Sequence, residues 1–296
     1  MDKRKYLNPE MVAKLNNMSL RARMVVEGYM IGLHRSPYHG FSVEFAEHRA
    51  YGHGDEIRHI DWKLFGKTDR YYVKRFEEET NLRTYMLLDT SDSMNYGSGK
   101  ITKLQYAGFL TSALAYLLIR QQDGIGLVTF DQAIQTFIRP RSTPGHLNTI
   151  LSTIDNAPTG PDTRIGSVLH EMAERIKKRG LVVLVSDLLD RQSDVLEGLK
   201  HFRHHKQDVI VFHILDRQEL NFDFNVRTRF RDMESGETLT TEPWHIRRDY
   251  QAVVTAFLNQ YKKHCREKLI DYVPLFTDQP LDIALSEYLK KRQKLG

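Results

Sequence analysis

The stretch Met86-Leu-Leu-Asp-Thr-Ser-Asp-Ser-Met94 decides how this chain is read. An apolar run from Tyr85 to Leu88 ends abruptly in Asp89, and two hydroxyls follow at alternate positions, Ser91 and Ser93. A buried strand that delivers one carboxylate and two hydroxyls to its C-terminal tip gathers hard oxygen ligands of low total charge. Such a set suits Mg²⁺, and less often Mn²⁺ or Ca²⁺. The same residues also read as a strand-to-helix turn in which Asp89 or Ser91 caps the following helix.

Working outward, the chain alternates. Tyr85 to Leu88 reads as a strand, Lys103 to Gln121 as a helix apolar nearly all round, Ile125 to Phe130 as a strand and Ala133 to Ile138 as an edge strand. His146 to Ile154 and Arg164 to Lys178 read as helices, the second with Ile165, Val168, Leu169, Met172 and Ile176 on one stripe. Leu181 to Ser186 and Val209 to Leu215 are apolar strands on either side of a helix from Asp194 to Arg203. Strands with few polar residues, alternating with helices, require a mostly parallel sheet covered on both faces. The expected fold is therefore α/β, a doubly wound, Rossmann-like sheet.

The ends of the chain depart from this alternation. Residues 8 to 32 read as one helix, with Asn8 as cap and Pro9 in the first turn. Residues 33 to 80 hold short segments with glycines at 40, 52, 54 and 66, and Tyr71 to Phe76 reads as a strand. Met233-Glu-Ser-Gly-Glu237 reads as a hairpin turn. A long helix follows from Ile246 to Lys268, then a strand from Asp271 to Phe276 whose Pro274 places it at an edge. The expected organisation is an N-terminal helix and β region over 1–80, a core over 81–216, a hairpin over 217–245 and completing elements over 246–296. Residues 36–80 and 217–245 are expected to pair as a small accessory β subdomain.

Composition narrows the class of protein. The 296 residues are 41% hydrophobic and 27% charged, enough for one large domain or a domain with an appendage. The mean hydropathy of −0.49 suits a soluble protein. The net charge is +5, but Lys and Arg are scattered. The one dense run, Lys290-Lys-Arg-Gln-Lys294, reads as a solvated helix end favoured by the helix dipole. Cys265 stands alone, which excludes an intramolecular disulfide and a cysteine-based zinc site. The basic N-terminus has no apolar core behind it, and Leu104 to Ile119 is too short to span a bilayer. A cytoplasmic protein with no transmembrane segment is expected.

The Asp-x-Ser-x-Ser pattern of Asp89, Ser91 and Ser93 resembles the first element of the metal-ion-dependent adhesion site of von Willebrand factor A domains. That resemblance implies two further ligands, and Thr163 and Asp187 fit them, one before a helix and the other at a strand end. In an open α/β sheet ligands bind beyond the carboxyl ends of the strands. Asp89 and Asp187 both sit at such ends, on one edge with Thr163. The upstream segments Glu44 to Arg49, Tyr51-Gly-His-Gly-Asp55, Arg58-His-Ile-Asp-Trp-Lys63 and Tyr72 to Glu79 sharpen the likeness. Together they resemble the bacterial von Willebrand A branch called domain of unknown function 58, with Arg49, Gly54, Asp55, Arg58, Asp61 and Trp62 as the signature. The signature residues also read as turn chemistry and a core-edge tryptophan.

The resemblance implies a non-enzymatic adaptor or chaperone-like module working with a MoxR-type AAA+ ATPase and a protein client. A bound Mg²⁺, held by Asp89, Ser91, Ser93, Thr163 and Asp187, would take a partner's carboxylate in its open position, with Asp92 as an accessory. Two other classes compete. A Mg²⁺-dependent phosphoester hydrolase needs a base near the metal, and Asp92 is the candidate. Nucleic-acid binding through the basic surface ranks last, since no stacking or groove-reading motif accompanies it, and no nucleic-acid partner is expected. Gly97-Ser-Gly-Lys100 lacks the glycine and hydroxyl that a phosphate-binding loop needs at positions 94 and 101, where Met94 and Ile101 stand. Ser91 stands where a haloacid dehalogenase-type phosphatase needs its second aspartate. His201, His204 and His205 read as an exposed helix end.

Overall fold

A computed structural model of the chain describes residues 8–15, 17–33, 48–50, 52, 65–66, 68–74, 83–160, 163–231 and 236–293. The chain divides into two units, one of residues 33–81 and one holding the rest. In the smaller unit β1 (His48–Ala50) pairs antiparallel with β2 (Tyr72–Lys74), and Phe65 stacks on Tyr71 with ring centroids 4.5 Å apart.

The larger unit opens with two helices, not the single one that the sequence suggests. α1 spans Pro9–Ala13 and α2 spans Met18–Leu33. The break has a local cause. The Asn17 side chain accepts the Ser19 N–H at 2.7 Å and so starts a new helix. Arg21 Nε then donates to the Leu15 carbonyl at 2.8 Å, satisfying a carbonyl just past the end of α1.

From Arg83 the elements follow the expected alternation. They are β3 (Arg83–Asp89), a 3-10 turn (Asp92–Asn95), α3 (Lys103–Arg120), β4 (Gly124–Phe130), β5 (Ile134–Arg141), α4 (Pro144–Asp155), α5 (Ile165–Arg175), β6 (Leu181–Ser186), α6 (Gln192–His204), β7 (Asp208–Leu215) and α7 (Arg217–Asn221). β8 (Thr228–Arg231) and β9 (Thr238–Thr241) pair with each other, and α8 (Pro243–Glu267), β10 (Asp271–Phe276) and α9 (Asp282–Gln293) complete the chain. The pairing expected between 36–80 and 217–245 draws largely on residues outside those described.

The six-stranded sheet has the order β10-β7-β6-β3-β4-β5, parallel except for β5. The chain winds outward from β3 to β5, then returns to β3's other side and winds out to β10. β3 is thus central, and the reversal lies between β3 and β6. Every side chain of β6 and β7 is buried, which is why both strands read as largely apolar runs. One face of the sheet (Leu87, Val128, Val182, Leu184, Val211) packs under α5, α6 and α8. α3 lies against β3, β4, β6 and β7, and its own outer side meets α1 and α4, so it is buried almost all round. Both edge strands carry a proline, Pro140 in β5 and Pro274 in β10.

α5 and α6 touch through two glycines. A Cβ on Gly198 would lie 2.7 Å from Leu169 Cβ, and one on Gly166 would lie 2.7 Å from Asp194 Cβ. Neither neighbour is a flexible side-chain end, so a larger residue must part the helices. Gly198→Val is expected to lower the unfolding free energy by about 1–3 kcal/mol. Urea denaturation checks this, and an unchanged midpoint would show that the two helices can separate without cost.

Candidate functional site

The site is built first by strand register. β3 and β6 are parallel neighbours with Leu88 opposite Val185, which brings Asp89 beside Ser186. Ser186 Oγ donates to Asp89 Oδ2 at 2.6 Å, and the Ser91 N–H donates to Asp89 Oδ1 at 3.0 Å. The second bond turns the chain so that the hydroxyls of Ser91 and Ser93 stand 3.1 Å apart. Adjacent oxygens around an octahedral Mg²⁺ at 2.0–2.1 Å lie roughly 2.9 Å from one another. The two hydroxyls therefore fit neighbouring positions of such a shell.

Backbone bonds bring the Thr163 segment to the same place. The Asp92 N–H donates to the Gly160 carbonyl at 2.8 Å, and the Gly160 N–H donates to the Thr90 carbonyl at 3.1 Å. Gly160 presses so closely on Asp131 that a Cβ there would lie 2.6 Å from the carboxylate carbon. Asp131 follows β4 and is itself held by the Ala133 N–H at 3.2 Å and Gln135 Nε2 at 2.7 Å. Its carbonyl accepts the Arg164 N–H at 3.2 Å, just before α5. Thr163 is buried at that junction. Asp92 is half-buried, and its carboxylate accepts Asn95 Nδ2 at 3.4 Å within the 3-10 turn.

Asp187 is buried at the end of β6 and is already engaged with a cation. Lys103 Nζ lies 2.8 Å from Asp187 Oδ2 and 2.7 Å from Glu219 Oε1, with the lysine side chain only 1% exposed. Asp187 Oδ1 accepts the Leu189 N–H at 3.3 Å. Burial works against the charge of Lys103, but Asp187 and Glu219 outweigh it and raise its pKa above the ordinary lysine value. His213, wholly buried on β7, donates Nε2–H to the Asp187 carbonyl at 2.8 Å, so its Nδ1 accepts from the Tyr272 hydroxyl at 2.6 Å. Burial pushes its pKa down to about 4, which keeps the ring neutral.

The charges around the site are unbalanced. Asp187 and Glu219 share one ammonium, and burial together with nearby Asp187 pushes the Asp89 carboxyl up to about 7. A carboxylate with no cation against it in a dry site is costly. The hydroxyl spacing, the oxygen-only donors and this charge excess all fit a divalent cation. Asp89, Ser91 and Ser93 would hold it, with Thr163 and Asp187 to complete the shell. A cavity of about 110 Å³ opens beside Lys103, Asp187 and Glu219, walled by Tyr250 and Phe257.

Sequence reading missed Lys103, Ser186, His213 and Glu219. Lys103 carried a signal: it opens an otherwise apolar helix, where the dipole disfavours a cation, so a carboxylate partner was to be sought. The others depend on which strands are neighbours. Of the N-terminal signature, Arg49 lies in β1, while Gly54, Asp55, Arg58, Asp61 and Trp62 fall outside the described residues.

A doubly wound sheet with Asp-x-Ser-x-Ser at its central switch point defines a von Willebrand A-like α/β protein. The chain belongs to the family described as "Protein of unknown function DUF58", whose model matches residues 47–259. Rv1480 of Mycobacterium tuberculosis is similar, at 24% identity over 232 residues that cover 77% of this chain and 73% of the relative. Among solved structures, an aerotolerance-related membrane protein from Bacteroides fragilis shares the fold. It has a TM-score of 0.51 at 14% identity, covering 72% of this chain and 99% of that one. BatB from Bacteroides thetaiotaomicron covers the same shares, with a TM-score of 0.48 at 15% identity. Among the described residues no helix is long and apolar enough to cross a membrane.

Lys103→Met leaves Asp187 and Glu219 without their counter-ion. In EDTA the variant is expected to lose about 3–5 kcal/mol of stability by chemical denaturation. A loss under about 1 kcal/mol would mean that water screens the pair.

Proposed function

We propose that this protein is a non-enzymatic, metal-dependent protein-interaction module serving a MoxR-type AAA+ ATPase and a protein client. The observation that carries the reading is the oxygen cluster of Asp89, Ser91 and Ser93, with hydroxyls 3.1 Å apart at the switch point of the sheet. The von Willebrand A-like fold itself supports a protein-interaction module. The ATPase partner rests on the resemblance of the signature residues and on family membership.

The residues divide the work. Asp89 supplies the negative charge, and Ser186 and the Ser91 N–H fix its orientation. Ser91 and Ser93 add neutral oxygens. Lys103 already pairs with Asp187, so that carboxylate would hold a cation weakly or through water. A Mg²⁺ ion held by Asp89, Ser91 and Ser93 would supply an electrophilic position for a carboxylate from the partner. Low charge in the protein's own shell keeps that position attractive to an incoming anion. Recognition of this kind adds affinity without bond making.

The test is association with the MoxR-type ATPase of the same organism, in Mg²⁺ and in EDTA, for wild type and Asp89→Ala. Chelation and the substitution are each expected to weaken binding at least roughly thirtyfold, the ratio that about 2 kcal/mol gives. Circular dichroism should show the fold intact. Binding indifferent to both the ion and Asp89 would defeat the proposal.

A further inference from the structure

A second group of ligating side chains lies at the opposite edge of the sheet. α5 starts beside the Asp89 cluster and runs away from it, and the turn that follows brings Gly180 against the carbonyl of Arg83, where β3 begins. Near that end α5 carries His170 and Glu174, and α6 carries His201 in its last turn and His205 as the cap that follows it. Each pair is spaced i, i+4, so both of its members share one helix face. The two faces meet. His201 Nε2 lies 3.1 Å from Glu174 Oε1, and His205 Nε2 lies 3.9 Å from the same oxygen. The three ligand atoms are all within 4.8 Å of one another.

We propose that Glu174, His201 and His205 form a binding site for a divalent transition-metal ion of the Zn²⁺ class, with His170 as the positioning partner of His201. Tetrahedral zinc holds its ligands at 2.0–2.1 Å, which sets neighbouring donor atoms roughly 3.3 Å apart. One of the three spacings is already there, and the other two close by rotation of half-exposed side chains. Two imidazoles and a carboxylate are a zinc donor set that leaves a fourth position open. A ligating histidine usually gives its other ring N–H to an acceptor, which fixes the tautomer. His201 Nδ1 meets His170 Nδ1 at 3.1 Å, which supplies that contact.

The backbone favours the same reading. The ligands come from the last turns of two helices, and the dipole places partial negative charge there. The helices are held at fixed separation by the Gly166 and Gly198 contacts. Lys177 approaches the other oxygen of Glu174, Oε2, at 3.8 Å and leaves Oε1 to the imidazoles. Among the described residues no other group of His, Cys, Asp and Glu brings three ligand atoms this close.

The experiment is a Zn²⁺ titration of the full chain, free of any polyhistidine tag, against a chromophoric chelator in excess Mg²⁺. Wild type is expected to take up one equivalent that His201→Ala/His205→Ala loses. Glu174→Gln should weaken uptake, and His170→Ala should weaken it by about 10–100-fold. His204 is exposed and lies outside the cluster, so His204→Ala should match wild type. Asp89→Ala should match it too, which separates this site from the serine-aspartate cluster. Circular dichroism confirms that each variant is folded. Absence of an equivalent in wild type, its survival in the double variant or its loss in Asp89→Ala would overturn the proposal.

Discussion

A single buried ammonium holds the carboxyl edge of this sheet together. Removing a charged group from water costs several kcal/mol even after relaxation, and only close carboxylates can offset it. Lys103 is tolerated because Asp187 closes one side and Glu219 another, with Tyr96 beneath it at 5.7 Å from the ring centre. Those contacts tie the start of α3 to the tip of β6 and to α7. The Lys103 N–H also donates to the Tyr96 carbonyl at 2.9 Å, so the loop after the serine cluster is anchored at the same point. Asp216 extends the anchorage. Its carboxylate accepts both the Ser98 N–H at 2.9 Å and the Ser98 hydroxyl at 2.6 Å, which gives the Gly97-Ser-Gly-Lys100 loop a structural role.

The two halves of the cluster are fixed by different means. Asp89, Ser91 and Ser93 follow one another along the chain, so the end of β3 and one Asx-type bond suffice to place them. Thr163 is seventy residues downstream of Ser93, and backbone bonds tie its flanks, Gly160 to the segment from Thr90 to Asp92 and Arg164 to Asp131. A side chain at 160 would collide with Asp131, so the junction depends on the closest approach a chain can make. Asp131 is in this sense a structural counterpart of Ser186, one on each side of β3.

These distinctions explain what the sequence discloses. The parallel strands were readable because burial on both faces leaves little room for polar residues, as in Leu181 to Ser186. The break at Asn17 was not, because a helix that restarts about one turn later keeps nearly the same apolar stripe. Asp89, Ser91 and Ser93 were legible since their spacing is local. Ser186, His213 and Glu219 were hidden because strand order, not spacing, makes them neighbours. The histidines near 201 looked like a solvated helix end for the same reason. One helix's periodicity says nothing of what the next helix presents, and His170 and Glu174 lie about thirty residues upstream.

The prolines at the two borders of the sheet have a consequence for how other molecules can meet it. An outermost strand ordinarily offers a row of free donors and acceptors, a template on which a foreign strand can zip or identical copies can stack. Pro140 and Pro274 carry no backbone N–H, and Arg139 and Arg141 add charge beside the first. The sheet is thus guarded against lateral growth at both flanks. An encounter along either flank therefore meets a less regular row of backbone groups than an open edge strand presents.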